Sequence, residues 1–232
     1  MTTTMNIDVL DTAESVANRA ADILAEEARK AVTARGRFVM AVSGGHTPWV
    51  MLRAFAVADV PWPAIHIVQV DERVAPPGHP DRNLTHLRES LLDLAPLPPD
   101  QIYAMPVESA DLNAAAAEYA TTLRQIAGST PVLDLVHLGL GPDGHTASLL
   151  PGDPVLKVKD ADVAMSGVYQ GRRRMTLTYP IINRARNILW VVTGKEKVSM
   201  LNRLLNADES IPAGRVRREG ARIIADRGAQ GG

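Results

Sequence analysis

The sequence predicts an α/β fold: a mostly parallel sheet covered by helices on both faces. Three observations lead there. Short apolar runs recur at 37–42, 64–70, 132–140 and 187–193. Segments with apolar residues at helical spacing separate them, and no internal repeat, low-complexity linker or break in composition divides the chain. Strands alternating with helices in this way build parallel sheets. The 232 residues are expected to form one α/β domain over 1–232, with a short mobile tail at 227–232.

The first helix runs from Asp11 to Ala34. Val16, Ala20, Ile23, Leu24, Ala28 and Val32 recur at helical spacing; Asp11 or Thr12 is placed to cap the helix and Gly36 to end it. "RFVMAV" (37–42) is the first strand, and after "SGGHTP" helical residues resume at Trp49. "AIHIVQV" (64–70) is a second buried strand ending in "DERVAPPGHPDRN". Leu84 to Leu94 reads as a helix, Ile102 to Met105 as a short strand, and Asp111 to Ala127 as an Ala-rich helix. "VLDLVHLGL" (132–140) is the next strand. "ADVAMSGVY" and "RRMTLTYP" form a small β-rich elaboration near 155–180. Asn187 to Thr193 is a clear strand, and Lys195 to Asn206 a helix.

Composition narrows the function classes. A hydrophobic content of 46% with 22% charged residues is ordinary for a soluble globular protein. A net charge of −1 gives no global argument for nucleic acid or an anionic membrane as partner. The opening "MTTTMNIDVLDTAESV" lacks the features of a secretion signal, and no apolar window approaches membrane-spanning length. The absence of cysteine excludes disulfides, thiolate metal sites and a catalytic Cys. A cytoplasmic location is the default expectation; oligomeric state is not readable.

In a parallel sheet, ligands sit beyond the carboxyl ends of the strands, so the polar loops after Val42, Val70 and Leu140 are expected to converge. "SGGHTP" (43–48) places Ser43, Gly44, Gly45 and Thr47 between a strand and a helix. Glycines admit close approach of a ligand, and free N–H groups with the helix dipole favour an anion. A plain turn whose Thr47 caps the helix fits the loop equally well. The loop is not a Walker motif, because the G-x-x-x-x-G-K-[ST] spacing is absent. In "DER" (71–73), Glu72 reads as a solvated loop residue, whereas Arg73 offers a planar fork for a phosphate or sugar oxygen. Asn83 is placed to cap the next helix or to bond a polyol.

The most informative stretch is "LGLGPDGHTASLLPG" (138–152), where a buried strand gives way to an imidazole held on glycine-rich backbone. With an ordinary pKa near 6.5, a neutral histidine can take a proton from water. Asp143 is a candidate to fix the tautomer of His145, a contact that two-residue spacing leaves open. His66 and His137 lie inside strand patterns and have no metal-ligand partner at a recognisable spacing. No G-x-S-x-G, H-E-x-x-H or G-x-G-x-x-G motif is present. No residue pattern calls for a metal or an organic cofactor.

"SGGHTP", "DERVAPPGHPDRN", "GLGPDGHTASLLPG" and "RMTLTYP…NILWVVTGKEK" stand in the order and spacing of the 6-phosphogluconolactonases, which this chain resembles from the first helix to Lys197. The resemblance implies a three-layer αβα sandwich with a Rossmann-like sheet, shared with glucosamine-6-phosphate deaminases and ribose-5-phosphate isomerases. It implies hydrolysis of 6-phospho-D-glucono-1,5-lactone to 6-phosphogluconate, in the oxidative pentose phosphate pathway. It carries the general base to His145, and the sugar-phosphate contacts to the Ser43–Thr47 loop, Arg73, Asn83, Arg174 and Lys195. The chain departs from the family's pattern at His46 (a small hydroxyl residue), Arg82 (Ser) and Leu150 (an aromatic). "GRRR" replaces a proline-rich approach, so the guanidinium can come from Arg172, Arg173 or Arg174. The segment "IPAGRVRREGARIIAD" is more basic than the family leads one to expect.

The rival is a glucosamine-6-phosphate deaminase-like isomerase. Its corresponding block resembles GHIAFNEPG, with a carboxylate assisting ring opening where Leu150 stands here. Leucine moves no proton, so the lactonase reading is preferred. A non-catalytic sugar-phosphate-binding module would keep the phosphate loop without needing His145.

Overall fold

The computed structural model describes residues 5–232; the Met1–Thr4 part of the stretch read for a secretion signal lies outside them. The strands, in chain order, are β1 (Asn6–Leu10), β2 (Phe38–Val42), β3 (Ile65–Gln69), β4 (Asp71–Arg73), β5 (Ile102–Tyr103), β6 (Leu135–Leu138), β7 (Val163–Tyr169), β8 (Arg172–Leu177), β9 (Asn187–Val192) and β10 (Ala221–Asp226). Seven of them form one parallel sheet, ordered β1-β10-β9-β6-β2-β3-β5. The other three form a small antiparallel sheet, β4-β8-β7, which is the expected β-rich elaboration.

Both faces of the large sheet are covered, as its apolar strands require. Phe38, Met40, Val42, Ile65, Ile67, Leu189 and Val191 pack on α1 (Ala13–Arg35) and α2 (His46–Ala56). Val39, Ala41, Val68, Leu138, Ile188, Trp190 and Val192 share the opposite core with residues of α4 (Leu112–Ala127), α5 (Tyr179–Arg184) and α6 (Val198–Leu205). The helix α3 (Asn83–Leu87) continues into a π-helical turn at Arg88–Leu92. Thr12 caps α1 by accepting from the Ser15 N–H, and Gly36 ends the helix in the left-handed region, with φ 76°.

Several elements differ from the sequence reading. The helix α2 starts at His46, three residues before Trp49, with Gly45 at its N-cap position and no side-chain cap. The 227–232 segment, expected to be a mobile tail, carries α7 (Arg227–Gln230), which the Asp226 side chain caps and whose Ala229 is fully buried. The strands β1 and β10 are two the sequence does not announce. One is a short edge strand with Asn6 and Asp8, and the other buries only a brief apolar run after a basic stretch.

The basic stretch itself has a structural use. Arg218 donates to the carbonyls of Leu204 and Leu205 at the end of α6, and Arg217 donates to the Ala185 carbonyl beyond α5. Both guanidiniums thus serve carbonyls at or just beyond helix C-termini. No described helix is long and apolar enough to cross a membrane.

Candidate active site

From β2 the main sheet grows outward through β3 and β5. The chain then returns to the other side of β2 with β6 and continues through β9 and β10. This reversal opens a crevice at the carboxyl ends of β2 and β6, the place where open α/β sheets hold ligands. The loops after β2, β3 and β6 meet there around a cleft of about 200 Å³. Ser43, Gly44, Arg73, Asn83, His145 and Arg174 line it, together with Asp71, Ala147 and Lys197.

His145 is held from several sides. Its Nδ1 lies 2.5 Å from Asp143 Oδ1, and its backbone N–H donates to the same oxygen at 3.1 Å. Gly141 must be glycine, because a Cβ there would overlap the His145 ring. Gly144 turns the loop at φ 82°, where a side chain would strike Ile211. Partial burial pushes the Asp143 carboxyl up, but the His145 backbone N–H and the charge on its ring outweigh this, leaving its pKa below the ordinary value. An ionised carboxylate only accepts, so in the neutral ring the proton sits on Nδ1 and Nε2 carries the lone pair. Ala147, at φ 52°, is a non-glycine residue held in the left-handed region on the cleft wall.

The small sheet supplies the opposite wall. Arg73 and Arg174 are direct cross-strand partners, so their guanidiniums leave the same face. Like charges so placed repel unless an anion joins them. Arg174 is only 3% exposed, and its Nε has no partner; its Nη2 reaches Gln170 Oε1 at 3.3 Å. Burial, followed by the Arg73 charge, lowers the Arg174 pKa, and the Asp71 and Asp81 carboxylates only partly offset this. Of the three arginines left open by the sequence, Arg172 is occupied by Asp81 at 2.9 Å and Arg173 is exposed.

Glu72 corrects the sequence reading. It is fully buried, and accepts from the Asn83 and Leu84 N–H groups at 2.7 and 2.8 Å, capping α3 from a neighbouring strand. Arg82, 2% exposed, lies 3.2 Å from it and also reaches Glu108 at 2.7 Å. A buried carboxylate of this kind requires such a partner. Asn83 is therefore released from capping: its Nδ2 donates to the Asp71 carbonyl, and its Oδ1 lies where a Gly44 side chain would be. Ser148 donates to Asp71 Oδ2 at 2.6 Å, tying the His145 loop to β4.

The remaining expected residues divide. Gly45 and Thr47 line an adjoining cavity of about 270 Å³ with Gly44, His46, Glu196 and Lys197. Thr47 does not cap α2; its hydroxyl shares a 2.7 Å hydrogen bond with that of Thr193. Lys195 is exposed and lines neither cavity, whereas Lys197 lines both. The turn at Lys195–Lys197 is 3-10, and it carries the two lysines in different directions. Tyr169, which the sequence did not single out, packs edge-on against His145 with ring centroids 5.3 Å apart. Among the described residues, no group of three or more His, Asp or Glu side chains is placed to hold a metal.

The family model for glucosamine-6-phosphate isomerases and 6-phosphogluconolactonases matches residues 11–225. The chain belongs to this family of sugar-phosphate enzymes. It is similar to a 6-phosphogluconolactonase of Synechocystis, with 38% identity over 89% of this chain and 87% of the relative. A solved 6-phosphogluconolactonase from Thermotoga maritima superposes with a TM-score of 0.85 at 25% identity, covering 96% of this chain and 99% of that one. A monomeric glucosamine-6-phosphate deaminase also reaches 0.85, at 18% identity over 98% and 99% of the two chains, a likeness of fold alone.

Proposed function

We propose that the cleft hydrolyses 6-phospho-D-glucono-1,5-lactone to 6-phosphogluconate, with His145 as general base. The observation that carries this reading is the locked imidazole: Nδ1 is held by Asp143, leaving Nε2 as the one basic nitrogen for the cleft. Nε2 takes a proton from a water as the water attacks the lactone carbonyl. The imidazolium then gives that proton to the departing ring oxygen, which becomes the 5-hydroxyl. General acid–base catalysis of this kind contributes about 10²–10⁴-fold.

Arg174, buried and short of a partner, meets the negative charge developing on the carbonyl oxygen. The phosphate is taken by the uncapped N-terminus of α2, the glycine loop, Lys197 and Arg73. This end of the substrate is remote from the reacting carbon and serves to orient it. Leu150, 5% exposed, packs where the deaminase pattern has its acid, which supports lactone hydrolysis over ring opening and isomerisation.

The test is acid release from freshly prepared 6-phosphogluconolactone, compared with the spontaneous rate. Acceleration that saturates with substrate supports the reading; a rate equal to the spontaneous one overturns it.

A further inference from the structure

Tyr169 does not line the cleft, yet it touches two groups that do. Its ring stands edge-on to His145 at 5.3 Å and 65°, and the Arg174 guanidinium carbon lies over it, 5.0 Å from the centroid. The general base and the guanidinium assigned to the oxyanion therefore share one aromatic support.

The backbone is built to deliver that ring. Ser166 pairs with Arg174 and Tyr169 with Arg172, so β7 advances three residues while β8 advances two. This extra residue is a β-bulge, a device that re-aims a side chain. Cross-strand partners leave the same face of a sheet, so the bulge puts Tyr169 on the face that carries Arg172 and Arg174. Without it, Gly167 would pair with Arg173 and Val168 with Arg172, and Tyr169 would leave the opposite face.

Both ends of the bulged segment are tied down. Asp153 accepts from the Gly167 N–H at 2.7 Å while its other oxygen accepts from the Val155 N–H at 2.8 Å. Beyond Tyr169, Gln170 and Gly171 have φ of 51° and 76°, the pair of left-handed residues that makes a tight two-residue hairpin turn. Asp143 acts on Tyr169 as well: partial burial and then the Asp143 charge raise the phenol pKa, so the hydroxyl stays protonated beside the carboxylate.

We propose that Tyr169 is a positioning residue for this reaction, an aromatic strut that holds the His145 imidazole and the Arg174 guanidinium at a fixed separation across the substrate. The proposal rests on the assignment of His145 as base. Aromatic edge-to-face and cation–π contacts depend on the ring, so a phenylalanine retains the function and an aliphatic side chain of similar size loses it.

The experiment compares Tyr169→Phe and Tyr169→Leu with the wild type and with His145→Ala. Turnover is expressed per binding-competent site, counted by calorimetric titration with 6-phosphogluconate. Tyr169→Leu is expected to lose about tenfold in kcat, the scale of one ring contact made or lost, with KM changed less than about twofold. Tyr169→Phe should recover most of that loss. A merely structural role would lower the number of competent sites and leave turnover per site intact. Wild-type turnover per site in Tyr169→Leu, with His145→Ala inactive, overturns the strut and leaves the base in place. Full activity in His145→Ala overturns the base assignment, and the strut with it.

Discussion

The backbone N–H of Ser43 donates to His137 Nδ1 at 3.2 Å, joining the end of β2 to the middle of β6 directly beneath the cleft. The Ser43 hydroxyl returns the contact by donating to the His137 carbonyl at 2.9 Å. An imidazole nitrogen that accepts must be unprotonated, so the ring that supports the glycine loop is neutral. Burial enforces this, lowering the His137 pKa to about 3.

A pH dependence of stability follows from that ring. The unfolded chain protonates His137 near pH 6.5, and the folded chain only near pH 3. Between these values the unfolded state binds the extra proton, so stability is complete above the window and declines as pH falls through it. Thermal melting should show a loss of about 1–2 kcal/mol between pH 6.5 and 5, an amount that one such proton accounts for. His137→Asn should flatten this portion of the curve. An unchanged slope in the variant would assign the dependence to other groups.

Breaking the Glu72–Arg82 pair should be costly. Glu72→Ala leaves the Asn83 and Leu84 N–H groups without their acceptor and Arg82 with Glu108 as its one carboxylate. The expected loss is about 3 kcal/mol, on the scale measured when one member of a buried pair is removed. Denaturant unfolding measures it, and a loss below about 1 kcal/mol would mean that the pair contributes little.

Lys197→Ala should raise KM for the phosphorylated lactone and narrow the discrimination against unphosphorylated gluconolactone. Lys195→Ala should do neither, since that side chain lines neither cavity. Steady-state kinetics on the two lactones separates them, and the opposite ranking would move the phosphate contact to Lys195.

The deaminase reaction should be absent. Leu150 can neither give nor take a proton, so glucosamine 6-phosphate should release no ammonia at enzymatic rates. A coupled ammonia assay on a preparation active toward the lactone decides this.

Much of this was legible in the residues, and the gaps have physical causes. Long apolar runs flanked by turn residues announced β2, β3, β6 and β9, because strands buried on both faces leave no polar alternation to confuse. The β1 and β10 strands stayed hidden because short strands with polar positions resemble loops. Glu72 read as solvated because its neighbours are charged; the N–H groups it caps come from 11 and 12 residues further along the chain. Lys195 and Lys197 differ only in the direction a 3-10 turn gives them, and Tyr169 depends on a bulge that no local pattern marks. The glycines around His145 were readable because close approach and positive φ leave few alternatives to glycine.

The most direct test of the account is the turnover of 6-phosphogluconolactone by His145→Ala, with folding checked by circular dichroism and product binding by calorimetry. The account predicts a folded, ligand-binding protein whose kcat has fallen by about two orders of magnitude or more. A folded variant with near wild-type kcat would contradict it and remove His145 from the chemistry.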